Sequence, residues 1–321
     1  MRIEIVTPAP PGSTHGNRVT ALRWANILKR LGHRVTITQS YSGEKVDLLI
    51  ALHAHRSYRS IKTFHDEYPN LPIVVALTGT DLYRDLETDS HVARSLELAT
   101  KVVALQPKAL ERLKPVIKRK SQVIYQSVDS NTFVSKRSTV TNRFEVCVVG
   151  HLRKVKDPFR TALAVRTLPN SSRIHVVQIG AAMTKGMELS ALVEMKRNHR
   201  YRWLGQASRS RTSENLKRCQ LLVISSLMEG GANVLSEAIV AGVPVLASGI
   251  DGNVGILGGD YPGLFEVGNT EELAALLVRA ETEPTFLKEL CRRIKRLRPL
   301  FKPIREQRAW AELIRRLHTK H

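Results

Sequence analysis

The chain of 321 residues is poor in cysteine and in acidic side chains and has no long apolar run. Cys147, Cys219 and Cys291 are too far apart in the sequence for a disulfide framework or a cysteine-based zinc site. No apolar run approaches the roughly 20 residues that cross a bilayer. The N-terminal MRIEIVTPAP lacks the apolar stretch of a secretory signal. We therefore expect a cytoplasmic protein without a transmembrane segment.

The shortage of acidic residues makes the chain strongly basic. It has 29 aspartates and glutamates against 50 lysines and arginines, a formal net charge of +21. This balance favours an anionic partner, which could be a phosphorylated small molecule, an acidic membrane surface or a nucleic acid. The basic C-terminal stretch lacks the interleaved aromatic residues of a single-strand platform, and no nucleic-acid-binding motif is recognisable. We expect no specific nucleic-acid partner and only a weak association with anionic surfaces.

Short apolar runs alternate with amphipathic stretches, and this alternation occurs twice along the chain. The runs at residues 47–52 and 72–77 are continuously apolar, which is typical of parallel strands buried on both faces. A polar stretch at residues 127–143 follows, and the pattern restarts at residues 145–149. Strands separated by helices predict an α/β fold with right-handed crossovers. We expect two Rossmann-like, doubly wound parallel-sheet domains that face a central cleft.

The same alternation predicts where the domains begin and end. Residues 1–140 are predicted to form an N-terminal domain, and residues 141–298 a C-terminal domain. We expect residues 299–321 to form a basic helix that packs back on the N-terminal domain.

The segment EGGANVLSE, from Glu229 to Glu237, carries the clearest chemical signal. Gly230 and Gly231 permit a close approach of the backbone to a ligand, and a helix is predicted to begin near Asn233. The free N–H groups at a helix start bind anions such as a diphosphate, and the two carboxylates can accept hydrogen bonds from hydroxyls on either side. A sugar nucleotide has this layout. The alternative is a glycine-rich turn followed by a helix with solvated glutamates.

Context favours the sugar nucleotide. Residues 229–237 and 241–245 (AGVPV) resemble the nucleotide-binding half of retaining GT-B glycosyltransferases of family 4. Residues 78–82 (TGTDL) resemble the His-Gly-Thr-Asp segment of that family, and residues 124–129 (IYQSVD) resemble its crossing into the linker. Residues 149–152 (VGHL) resemble its second-domain opening. The resemblance implies a GT-B fold and transfer of a sugar from a UDP-sugar.

The resemblance also implies roles for individual residues. Glu229 is expected to contact the donor sugar and Glu237 the ribose. The basic pair on the diphosphate corresponds to His151 and Lys156; because His151 stands where the family has arginine, we expect Arg153 to supply the guanidinium. The candidate catalytic residues are therefore Glu229, Lys156 and Arg153. The candidate nucleotide-sugar-binding residues are Gly205, Gly230, Gly231, Ala232, Asn233, Val234 and Glu237. No cofactor is expected, and no metal, because the sequence has no Asp-x-Asp motif.

The first half of the chain departs from the family on the acceptor side. Thr78 replaces the family histidine, and Gln126 replaces an asparagine. The loop after the first strand is rich in glycine and polar donors, including Arg18, and suits an anion at the start of the next helix. The alternative is a plain turn with surface charges. The candidate acceptor-binding residues are Gly12, Ser13, Thr14, His15, Gly16, Asn17, Thr80 and Asp81.

Two segments resemble a more specific group of enzymes. Residues 5–25 (IVTPAPPGSTHGNRVTALRWA) and 76–85 (ALTGTDLYRD) resemble a glycosyltransferase-like family that makes selenosugars for selenoneine biosynthesis. That resemblance implies a UDP-sugar such as UDP-N-acetylglucosamine as donor, selenophosphate as acceptor and a 1-seleno-sugar as product. Two alternatives stay open: a family 4 enzyme that glycosylates a lipid or polysaccharide at a membrane, and a basic nucleic-acid-binding module without catalysis.

Overall fold

A computed structural model of the chain describes residues 1–129 and 142–318. The described residues divide into two compact units. The first unit contains residues 1–127, 229–232 and 303 onward, and the second contains the rest. Most of the predicted polar linker lies outside the described residues, so the domain boundary at residue 140 stays a prediction.

The first unit is built on a six-stranded parallel sheet with the order β2-β1-β3-β4-β5-β6. Its strands are β1 (Arg2–Val6), β2 (Arg34–Thr38), β3 (Leu48–Leu52), β4 (Ile73–Ala76), β5 (Lys101–Ala104) and β6 (Ser121–Val123). Every residue of β3 and β4 is buried, because helices cover both faces of the sheet. The chain winds one way from β1 to β2 and the other way from β3 onward, so the winding reverses between β1 and β3.

The second unit repeats this plan with the order β12-β11-β10-β7-β8-β9, again all parallel. Its strands are β7 (Phe144–Val149), β8 (Ile174–Ile179), β9 (Tyr201–Trp203), β10 (Leu221–Ile224), β11 (Val245–Ser248) and β12 (Leu264–Phe265). Here the winding reverses between β7 and β10. In open α/β sheets, ligands bind beyond the carboxyl ends of the strands at such a reversal. The α/β, doubly wound prediction is confirmed.

Helices follow most of the strands. Those before residue 129 are α1 (Gly16–Arg30), α2 (Tyr58–Glu67), α3 (Thr80–Tyr83), α4 (Ser90–Leu98) and α5 (Pro115–Arg119). Those after residue 142 are α6 (Arg160–Arg166), α7 (Lys185–Arg197), α8 (Arg209–Arg218), α9 (Asn233–Ala241), α10 (Asp251–Leu257), α11 (Thr270–Thr282), α12 (Pro284–Leu297) and α13 (Pro303–His318). None of these described helices has the length and apolarity needed to cross a membrane.

The last helix, α13, belongs to the first unit and packs on α1. It begins at Pro303 rather than at residue 299, with a separate 3-10 turn at Arg298–Phe301 before it. Proline favours the first position of a helix, since its fixed φ suits the helix and it has no N–H to leave unbonded there. Trp310 of α13 meets Trp24 of α1 edge to face, with ring centroids 4.8 Å apart.

A buried carboxylate joins α13 to the rest of the first unit. Glu306 is 2% exposed. It accepts hydrogen bonds from Trp24 Nε1 at 2.8 Å, from Arg23 Nε at 3.2 Å and from the Ser127 backbone N–H at 2.9 Å. The carboxylate therefore satisfies donors from α1 and from the chain that follows β6, and its charge is balanced by the arginine.

We predict that Glu306→Ala lowers the free energy of unfolding by about 3 kcal/mol, because it leaves the Arg23 guanidinium and the buried N–H groups without their acceptor. Glu312→Ala on the exposed face of the same helix is the matched control and should change it by about 0.5 kcal/mol or less. Urea unfolding followed by tryptophan fluorescence measures both. Equal effects of the two substitutions would contradict this role for Glu306.

Candidate active site

The loops at the winding reversal of the second unit hold most of the predicted nucleotide-binding residues. The loop after β7 contains His151 and Arg153 and ends in a 3-10 turn at Lys154–Lys156. It is fastened to the segment after β10: Ser225 Oγ donates to the Asp157 carbonyl at 2.8 Å, and the Leu227 N–H donates to the Val155 carbonyl at 2.9 Å. The basic loop is therefore held by hydrogen bonds from the strand that neighbours β7 in the sheet.

The residues predicted to neutralise a diphosphate are partly accessible. Arg153 is exposed, and His151 and Lys156 are half-buried. His151 Nδ1 accepts the Ala181 backbone N–H at 3.2 Å, so the proton of a neutral ring sits on Nε2, which makes Nε2 the donor. Gly205 follows β9 with φ +68°, and its carbonyl accepts the Gly180 N–H at 2.9 Å. Three basic residues that were predicted to neutralise a diphosphate therefore follow β7 within one short loop.

Helix α9 begins at Asn233, as the sequence predicts. The first turn of a helix leaves N–H groups without intrahelical acceptors, and the helix dipole makes that end positive. Val234 and Glu237 lie half-buried in the first two turns, while Ala232 just before the helix is buried. Helix α9 thus carries the carboxylate of Glu237 one turn beyond its positive N-terminal end.

The segment of Glu229 to Ala232 groups with the first unit, and its glycines are required there by packing. A Cβ atom on Gly230 would lie 2.5 Å from the Thr78 carbonyl oxygen and 2.8 Å from the Gly79 nitrogen. A Cβ on Gly231 would lie 2.8 Å from Leu105 Cβ. The sequence predicts that these glycines permit the close approach of a ligand. In the first unit, the atoms that approach them closely belong to the protein itself. The place of both glycines in a nucleotide-sugar site stays a prediction.

Asp81 organises the TGTD segment. It is fully buried, and its carboxylate accepts backbone N–H groups from Ala54 at 2.9 Å, Thr78 at 3.0 Å and Gly79 at 2.8 Å. Both oxygens are engaged with the protein itself. Asp81, a candidate acceptor-binding residue from the sequence, therefore positions the loop that connects β4 to α3 and holds it against the chain after β3.

His53, at the end of β3, was not among the candidate residues. It is 5% exposed and is one of two described residues other than glycine with positive φ, at +75°. Its Nδ1 accepts the Arg56 N–H at 3.4 Å, so Nε2 donates to Thr80 Oγ1 at 2.9 Å. Burial lowers the pKa of the His53 imidazole, which keeps the ring neutral. The sequence feature that points to His53 is its position directly after the buried strand β3, beside the winding reversal of the first unit.

The glycine-rich loop of the first unit connects β1 to α1. Gly12 has φ +75°, and the Ser13 N–H donates to the Pro10 carbonyl at 3.2 Å. Helix α1 starts at Gly16, and no side chain caps its N-terminus with a hydrogen bond. Thr14 is exposed, whereas His15 and Asn17 are half-buried. The loop and the helix start therefore lie beside the carboxyl end of β1, next to the reversal that also carries His53.

One group of side chains in the described part of the chain could ligate a metal ion. His55, Asp89 and His91 each offer a ligand atom, and these atoms lie within 4.8 Å of one another. His55 Nδ1 lies 2.6 Å from Asp89 Oδ2, which is an ion-pair distance when the histidine is protonated. The expectation that the protein uses no metal stays a prediction.

Two doubly wound parallel sheets of six strands each are the architecture of GT-B glycosyltransferases. The family model described as "Glycosyl transferases group 1" matches residues 129–297, more than half of the chain. The chain belongs to this family.

Two solved structures share the fold across the whole chain. Anabaena HepE, in complex with UDP and glucose, has a TM-score of 0.78 at 16% identity over 98% of this chain and 99% of its own. The sucrose-phosphate synthase from Thermosynechococcus elongatus has a TM-score of 0.82 at 13% identity over 100% of both chains. By sequence, the putative teichuronic acid biosynthesis glycosyltransferase TuaC of Bacillus subtilis is 24% identical over 84% of this chain and 70% of its own.

We predict that the backbone of His53 is strained, because the left-handed conformation costs a residue with a Cβ about 1 kcal/mol relative to glycine. His53→Gly should therefore be about 1 kcal/mol more stable than His53→Ala, although both lack the imidazole. The matched pair Arg56→Gly and Arg56→Ala, at an exposed position without positive φ, should show the opposite order. Urea unfolding of the four variants measures this, and a His53→Ala protein as stable as His53→Gly would refute the strain.

Proposed function

We propose that this glycosyltransferase transfers a sugar from a UDP-sugar, such as UDP-N-acetylglucosamine, to selenophosphate and so forms a carbon–selenium bond. The observation that carries the general reaction is membership of the group 1 family together with a basic loop and a helix start at the winding reversal of the second unit. The acceptor rests on the resemblance of residues 5–25 and 76–85 to selenosugar-forming enzymes.

The donor half of the proposal uses the second unit. The diphosphate binds the first turn of α9, and Lys156 with Arg153 and His151 neutralises it. Fixed cations stabilise a leaving UDP because its charge develops in the transition state, and groups already in place need no reorganisation. The structurally similar HepE was solved in complex with UDP, which supports a uridine nucleotide as the donor. Glu237 binds the ribose, and Glu229 contacts the donor sugar.

The acceptor half uses the first unit. The loop of residues 12–17 and the hydroxyl of Thr80 receive selenophosphate, and the strained His53 orients that hydroxyl through its Nε2–H donor. Thr78 stands where the family has a histidine, which fits an acceptor other than a sugar hydroxyl. Selenium attacks C1 of the sugar, the bond from C1 to the UDP oxygen breaks, and UDP leaves with the electron pair. The first product keeps the phosphoryl group on selenium, and attack of water at phosphorus then breaks the selenium–phosphorus bond and gives the 1-seleno-sugar and phosphate. Since selenophosphate is already nucleophilic, positioning and leaving-group stabilisation supply the rate and no strong base is needed.

A second candidate acceptor is a polysaccharide or lipid at a membrane surface. The name of the relative TuaC places that protein in teichuronic acid biosynthesis, and the net charge of +21 favours anionic surfaces. The two candidates share the donor half and differ only in the acceptor, so a single assay with a panel of acceptors separates them.

The test is mass spectrometry of a reaction that contains the purified protein, an equimolar mixture of UDP-N-acetylglucosamine, UDP-glucose and UDP-galactose, and selenophosphate. The proposal expects UDP release and a hexose-derived product with the isotope pattern of selenium. Inorganic phosphate in place of selenophosphate is the control and should give no such product. UDP release that depends on added polysaccharide or lipid, with no selenium product, would establish the second candidate instead.

We predict that Lys156→Ala weakens UDP binding by at least about tenfold, because a charge-assisted hydrogen bond to the diphosphate is lost. Lys154→Ala removes the same charge two residues away, at an exposed position of the same 3-10 turn, and should change the affinity by less than about twofold. Titration calorimetry with UDP measures both. Equal affinities for the two variants would remove Lys156 from the diphosphate site.

We predict that Glu229→Gln lowers kcat by about a hundredfold, the usual cost of losing one group that interacts with the transition state, while the Kd of UDP stays within about twofold. Glu237→Gln should instead raise the Kd of UDP, because its proposed partner is the ribose. Turnover and calorimetry on both variants separate the roles. If UDP binding were lost in Glu229→Gln, this carboxylate would belong to the nucleotide and not to the sugar.

A further inference from the structure

The beginning of α1 buries polar atoms that have no partner. Nε and Nη1 of Arg18 and Oγ of Ser13 each expose less than 1 Å² and form no hydrogen bond with the described protein. Arg18 is the third residue of α1, and Ser13 lies in the loop that precedes this helix. Both residues therefore belong to the junction of loop and helix that follows the carboxyl end of β1.

Such atoms are costly to bury. A guanidinium stays protonated at every pH at which proteins fold, and a buried donor nitrogen without an acceptor is unfavourable. Arg18 as a residue is half-buried, and two other arginines of the described chain show how such nitrogens are satisfied. The Arg200 guanidinium donates to the carbonyls of Pro169 and Ile174, at 2.9 and 3.3 Å. Arg23, one and a half turns along α1 from Arg18, pairs with Glu306. The exception at Arg18 therefore indicates a partner that the protein itself does not supply.

The surroundings of Arg18 specify the charge of that partner. Helix α1 is 15 residues long, has no acidic residue in its first turn, and has no side-chain cap on its free N–H groups. The positive end of its dipole adds to the guanidinium charge. The unpartnered groups are hydrogen-bond donors, apart from the hydroxyl of Ser13, which can donate as well as accept. A compact anion with several oxygens satisfies them together, whereas a neutral sugar hydroxyl would leave the guanidinium charge unbalanced.

We infer that Arg18, Ser13 and the start of α1 form a binding site for a tetrahedral oxyanion of the phosphate type. The assignment of this site to the acceptor rests on the proposed function, whereas the presence of an anion site does not depend on that function. The same chemistry could come from two sources, the phosphate group of a small acceptor or a phosphate of the donor nucleotide. The inference assigns it to the acceptor, because Arg18 and Ser13 belong to the first unit.

The test compares Arg18→Met with Arg30→Met. Both substitutions remove one charge from α1, but Arg30 is exposed at the end of the helix. Thermal unfolding is recorded without anions and with thiophosphate, a stable analogue of selenophosphate, since a ligand that binds the folded state raises Tm. Wild type and Arg30→Met should gain several degrees with thiophosphate, and Arg18→Met should gain almost none. Without anions, Arg18→Met should be at least as stable as wild type, because it no longer buries two nitrogen donors that lack an acceptor.

Calorimetry with thiophosphate and with UDP gives the second arm. The Kd of thiophosphate should rise by at least about tenfold in Arg18→Met, and the Kd of UDP should stay within about twofold. A rise in the Kd of UDP alone would transfer the site to the nucleotide and overturn the acceptor assignment. No anion-dependent Tm shift in wild type, or the same shift in Arg18→Met, would overturn the site itself. Arg18-dependent thiophosphate binding without any selenium product would retain the site and reject the proposed reaction.

Discussion

In each unit, the parallel sheet reverses its winding once, and this constraint determines where the chemistry can occur. At a reversal, the loops from two adjacent strands leave in opposite directions and open the carboxyl edge of the sheet. In the first unit these loops carry the glycine-rich segment after β1 and His53 after β3. In the second they carry the basic loop after β7 and the segment that leads to α9. The candidate residues are scattered in sequence because the order of strands in the sheet, and not their order in the chain, brings the loops that carry them together.

Buried polar groups of the first unit differ in whether the protein itself satisfies them. The carboxylates of Asp81 and Glu306 accept hydrogen bonds from several donors each, and these contacts hold loops and helices in place. Arg18 and Ser13 have buried atoms without such contacts. Unsatisfied buried groups are rare in folded proteins. Among the described residues Trp310 Nε1 and Gln106 Oε1 also lack a partner, and Arg18 differs from these by its charge.

The sequence was sufficient for features that depend on local patterns. Continuous apolar runs predicted the doubly covered strands β3 and β4, and the glycine-rich turn predicted the start of α9 at Asn233. Features that depend on contacts between distant segments were missed. The need for glycine at residue 230 comes from the Thr78 carbonyl, and the role of Glu306 comes from donors on α1. The left-handed backbone of His53 has no signature in a single sequence, since histidine is compatible with ordinary strand ends as well.

The most direct measurement is a crystal structure of the protein soaked with UDP and selenophosphate, with diffraction recorded at the selenium absorption edge. The account predicts an anomalous peak beside Arg18 and Ser13, and electron density for the UDP diphosphate at the first turn of α9. A selenium peak elsewhere in a protein that holds UDP on α9 would contradict the acceptor site. UDP bound away from α9 would contradict the account as a whole.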